Sequence, residues 1–110
     1  MFKHLQSEHL NRVTQLHRAG KRHELQKYLE GLGSKALVEL RALSWLGQGT
    51  EAEAGHFDAI VAEAKHRMDA HTPMYLAAEG NLVDHLAIGY RRLEKRQGTS
   101  EGQQSRRAAN

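Results

Sequence analysis

Apolar residues return every three or four positions along nearly the whole chain, and no stretch sustains a two-residue alternation. That periodicity predicts helices and argues against strands. Phe2, Leu5, His9, Val13 and Leu16 step along one face, which Leu10 widens. Gly20 follows where a left-handed terminating residue is wanted, so a first helix is expected over about 3–19. From His23 to Leu32 a second face is built from Leu25, Tyr28, Leu29 and Leu32. Ser34 suits the N-cap of a third helix over 35–46, which Gly47 and Gly49 are expected to end. This third helix is apolar around most of its circumference, and a helix of that kind belongs in the middle of a fold.

Thr50 and Glu53 have the spacing of a capping box. Gly55 costs about 1 kcal/mol inside a helix, so the helix proper is expected from near His56. Its inner stripe is Phe57, Ile60, Val61, Ala64 and Met68. Thr72-Pro73 reads as a helix start, because proline at the first helical position gives up an N–H that has no partner there. A short helix is therefore expected over 73–79, stopping at Gly80. Asn81 caps the last helix, whose inward residues are Leu82, Val83, Leu86, Tyr90 and Leu93. Gly89 inside it points to a closely approaching neighbour or to a tolerated weakness. The expected architecture is all-α: one compact bundle of five or six helices over 1–96. A polar, disordered tail over 97–110 has no large apolar residue to offset the entropy of ordering it.

Composition narrows the chemistry more than it suggests any. There is no cysteine, which excludes disulfides, thiolate nucleophiles and cysteine-ligated metals. The longest apolar run, Met74 to Ala78, is far short of the ~18 residues a membrane span needs. The first residues carry no apolar leader, so a soluble, cytoplasmic protein without membrane contact is expected. The net charge of +3 divides unevenly: residues 1–32 carry +3, residues 33–90 carry −4 and residues 91–110 carry +4. Arg91, Arg92, Lys95 and Arg96 form the tightest basic cluster, in the last turns of a predicted helix, where cations also suit the helix dipole.

Residues 36–93 resemble a bacterial family, the domain of unknown function numbered 3775. The resemblance runs through the apolar helix Val38 to Leu46 with its Trp45-Leu46-Gly47-Gln48-Gly49 turn, then Phe57-Asp58-Ala59-Ile60-Val61-Ala62-Glu63-Ala64-Lys65. It continues through Thr72-Pro73-Met74-Tyr75-Leu76 and Leu82-Val83-Asp84-His85-Leu86-Ala87-Ile88-Gly89. The chain departs from the family pattern at Gln48, where an arginine is frequent, and over Thr50 to Gly55. The resemblance implies an all-helical fold and no activity, and a fold by itself supplies none.

Eight histidines are the compositional oddity. His4 and His9 are five apart, as are His66 and His71, so neither pair shares a helix face at the metal-binding spacing. Glu63 and His66 make one Glu-x-x-His, of which a di-iron bundle needs two with further carboxylates. No metal site, cofactor or catalytic residue is therefore assigned. His9 reads as a hydrogen-bonded histidine at the edge of the core. No serine lies in a nucleophile elbow, and Gly31-Leu32-Gly33-Ser34-Lys35 lacks the strand and spacing of a phosphate loop. The helices over 23–32 and 35–46 faintly resemble a helix-turn-helix, but the second has too little polar face to read bases. Trp45 either plugs the core or anchors an interface. A non-enzymatic protein-interaction or self-association domain is expected, with an interaction surface drawn from Trp45, Arg91, Arg92, Lys95 and Arg96. The alternative is a nucleic-acid-associated accessory protein that uses the basic end of the last helix.

Overall fold

The computed structural model describes the backbone of residues 2–49 and 51–109, and the side chains of residues 2–49 and 53–95. Six helices run in the order α1 (Ser7–Arg18), α2 (Arg22–Gly31), α3 (Ser34–Gln48), α4 (Phe57–His66), α5 (Thr72–Ala78) and α6 (Leu82–Ala109). A 3-10 segment, Glu51–His56, enters α4. No strand occurs among the described residues, so the expected all-α fold is observed. The expected tail over 97–110, together with Arg96 and Thr50, lies outside the residues whose side chains are described.

α3 is the axis of the bundle, as its apolar circumference requires. Leu37, Leu40, Leu43 and Leu46 point into the main core, which also takes Val13 and Leu16 of α1, Leu25 and Leu29 of α2, Leu76 of α5, and Leu82, Leu86 and Leu93 of α6. The opposite face of α3 turns Val38 and Ala42 toward Ala64 of α4. Along the chain, α1 packs on α2 and α6, and α2 packs on α5.

Three of the boundaries that depart from the periodicity do so for a local reason, while α6 runs on to Ala109 through residues expected as a tail and α5 takes Thr72 into its first turn. α1 begins at Ser7 rather than near residue 3, because the amides of residues 3–5 bond to a side chain of α3. Ser34 is the first helical residue, not the cap; Gly33 holds that position at φ +88°, a conformation that favours glycine. Gly47 does not end α3 but lies inside it, buried where α3 crosses α6. A Cβ on Gly47 would stand 1.8 Å from the His85 carbonyl oxygen, and one on Gly89 would stand 2.3 Å from the Leu43 oxygen. The two glycines thus let the backbones of α3 and α6 touch, and Gly89 marks close approach rather than weakness.

Gly20 behaves as expected. At φ +71° it closes α1: its own N–H bonds to His17 O at 3.1 Å and that of Lys21 to Leu16 O at 3.0 Å. This pairing satisfies two of the carbonyls that a helix end leaves open.

Candidate functional site

The charged side chains divide into those that finish the fold and those that face outward. Glu39 belongs to the first group. It is buried on α3, and its carboxylate accepts the amides of Lys3 at 2.9 Å and of His4 and Leu5, each at 2.7 Å. A buried carboxylate must find donors, and here the peptide groups of the N-terminal segment supply them. Glu39 is the one acid in the sequence of α3, an otherwise largely apolar helix. That isolation was the available signal, since a lone acid on such a helix needs partners.

Arg92 also belongs to the fold. Its guanidinium donates to Leu46 O at 2.6 Å and to Gly49 O at 2.9 Å, satisfying carbonyls at the C-terminal end of α3. One of the four expected surface cations is therefore turned inward. Arg91 and Lys95 are exposed on α6, and Arg96 lies outside the described side chains.

Trp45 is half-buried against Val38, Ala42 and Ala64, and the Arg41 guanidinium lies 4.8 Å from its ring centre. The indole thus packs in a minor cluster between α3 and α4 under a cationic lid. Arg41 also donates to Arg67 O at 2.7 Å and to Thr72 Oγ1 at 3.4 Å, tying the α4–α5 connection to α3. Thr72, almost fully buried, accepts the Asp69 amide at 3.1 Å.

Among the described residues, three of the eight histidines enter hydrogen bonds through their rings. His9 is half-buried, and its Nδ1 accepts the Gln6 amide at 3.0 Å, which caps α1. His17 Nε2 lies 3.0 Å from Glu79 O, and His85 Nδ1 pairs with the Glu79 carboxylate, which Gln48 also approaches at 3.4 Å. Glu63 does not join His66. It pairs with Arg67 one turn on, and that hydrogen bond holds its exposed carboxyl below the usual carboxylate range. Among the described residues no three His, Asp or Glu side chains gather around a common point.

Two grooves carry the outward-facing chemistry. The first, about 450 Å³, lies between α1 and α6. Leu10, Val83 and Tyr90 line it, with Arg18 and Arg91 as its cations and Glu94 as its acid. The second, about 530 Å³, lies between the N-terminal segment, α3 and α4, and Val38, Val61 and Met68 line it with three lysines. Neither groove was visible as a unit in the sequence, because each combines residues from elements distant along the chain.

Comparison with known proteins adds one match. A family model described as "Protein of unknown function (DUF3775)" matches residues 22–94, which contain the stretch over 36–93 that carried the resemblance and extend it back through α2. No curated protein and no solved structure matches the chain.

Proposed function

The chain belongs to the DUF3775 family, whose description assigns no activity, and on that premise we propose that it is a non-enzymatic helical domain that binds a partner protein through the groove between α1 and α6. The observation that carries this reading is the make-up of the groove. An apolar floor of Leu10 and Val83 is joined by one tyrosine and two arginines, Tyr90, Arg18 and Arg91. Tyrosine and arginine are the side chains most enriched at interfaces, since each combines a broad contact area with directional polar atoms. Two cations against the single acid Glu94 favour an occupant with an acidic edge, and an amphipathic helix bearing one or two carboxylates fits the gap between two helices.

Two further points support a binding role over catalysis or nucleic-acid contact. The buried Glu39 and the half-buried Arg92 are both taken up by backbone groups. The inward use of Arg92 also removes a cation from the set a phosphate backbone would need.

The test is a charge reversal at the groove with Arg92 left intact. The variant Arg18→Glu/Arg91→Glu should unfold at the wild-type temperature and lose affinity for a captured partner, on the order of tenfold at low salt, mainly through slower association. Sedimentation at rising concentration covers self-association in the same way. A strict monomer that recovers no partner, or binding that ignores the reversal, overturns the proposal.

A further inference from the structure

The second groove has a different character. Its floor is aliphatic: Val38 on α3, Val61 on α4 and Met68 just past α4. Its rim carries Lys3 from the N-terminal segment, Lys35 from the first turn of α3 and Lys65 from α4. All three lysines are exposed, and among the described residues no ion pair takes up their ammonium groups. The one acid of the lining, Glu39, faces the amides of residues 3–5, and three ammonium groups against that single carboxylate leave the groove net positive. The acids Glu30 and Asp69 line a separate hollow on the far side of Ser34 and Met68.

We propose that this groove binds a small amphiphile with an aliphatic tail and an anionic head, the tail lying on Val38, Val61 and Met68 and the head meeting Lys3, Lys35 and Lys65. Charge complementarity selects the head. Three point charges converge on the rim from three separate segments, and an ammonium contacts a carboxylate without the fixed geometry an arginine fork would impose. The volume admits a small molecule. The groove's 530 Å³ falls within the range of roughly 300–1,000 Å³ typical of small-molecule sites, which are mostly apolar with few polar groups. A flexible methionine at the floor suits a tail of variable shape.

The site contains its own reporter. Val61 and Met68 pack in the same cluster as Trp45, the only tryptophan of the chain. A tail on that floor changes the surroundings of the indole, so fluorescence follows binding without a label. The probe is decanoate below its micellar concentration, compared with decanol and decyltrimethylammonium, which share the tail and change the head. The expected result is a saturable Trp45 response to decanoate, with at least tenfold weaker responses to the other two. In Lys35→Gln/Lys65→Gln the decanoate affinity should drop tenfold or more while the melting temperature stays at the wild-type value. Arg18→Glu/Arg91→Glu should bind decanoate as the wild type does, which separates this site from the α1–α6 groove. Equal responses to the three heads, no saturable response, or unchanged affinity in the lysine variant would overturn the proposal. So would binding only to anionic vesicles, or only to an acidic peptide, with none to decanoate.

Discussion

Replacing Gly89 by alanine sets two opposed energies against each other. Alanine in a helix interior is favoured over glycine by about 1 kcal/mol, so a Gly89→Ala change on an open helix face would stabilise. Here the new Cβ would stand 2.3 Å from Leu43 O and 3.2 Å from Gly47 N, where ordinary contact begins at 3.4 Å. The main obstacle is backbone, which cannot rotate away as a side-chain tip can. α3 and α6 would have to part by about 1 Å at their crossing, loosening Leu43, Leu46, Leu86 and Leu93 together. Overpacking of this kind costs about 1–3 kcal/mol, and a backbone obstacle puts this site toward the upper end, so the net loss after the helix gain reaches about 2 kcal/mol. For a domain of this size that is a fall of up to roughly 15 °C in melting temperature. Gly47→Ala faces a closer obstacle, 1.8 Å from His85 O, and should cost more. Once the helices have parted for one alanine the second meets less resistance, so the double variant should lose less than the sum of the singles, by about 0.5 kcal/mol or more. Urea and thermal unfolding of the three variants measure all of this. A Gly89→Ala protein that is more stable by about 1 kcal/mol, or strictly additive losses, would refute the close crossing.

Two further outcomes follow from single side chains. Glu39→Gln replaces one acceptor oxygen by an amide that faces N–H groups, and the loss of charge-assisted bonds should destabilise by about 2–4 kcal/mol, with hydrogen exchange rising first at residues 3–5; protection unchanged at those amides would contradict the contact. Tyr28 has its phenol pKa raised above 10.0, by partial burial first and by the nearby Glu8 carboxylate second, against a smaller lowering by Arg12. Because the folded value is the higher one, the neutral phenol favours folding fully below pH 10 and this contribution drains away as pH rises through the raised value. Tyr28→Phe should therefore flatten the alkaline fall in melting temperature, and a fall as steep as that of the wild type would show that Tyr28 does not contribute to it.

Periodicity made the helices legible, and its few failures have a common origin. The stripe from Phe2 to Leu16 reads as one helix, yet its first turn is not helical, because Glu39 offers residues 3–5 a stronger set of hydrogen bonds than helix nucleation at a frayed end would. Gly47 reads as punctuation because glycine usually is, and only the facing carbonyl of His85 shows that the missing side chain is the point. Arg92 reads as part of a basic cluster, since its neighbours in sequence are basic, while its partners Leu46 and Gly49 are far back in the chain. The grooves are hidden for the same reason. Lys3, Lys35 and Lys65 become one rim only after three segments have docked.

The two long-range polar links at α3 share a property that bears on how this fold can vary. Glu39 is answered by the amides of residues 3–5, and Arg92 by the carbonyls of Leu46 and Gly49. Every residue except proline brings the same peptide N–H, and every residue the same carbonyl. Lys3 and His4 can therefore be exchanged for any residue but proline without unfastening the N-terminal segment. Glu39 and Arg92 have no such freedom, and no substitution at a second position can compensate for losing either one. Among diverging relatives each would stand as a solitary fixed charge with no covarying partner, although each spans more than thirty residues of chain.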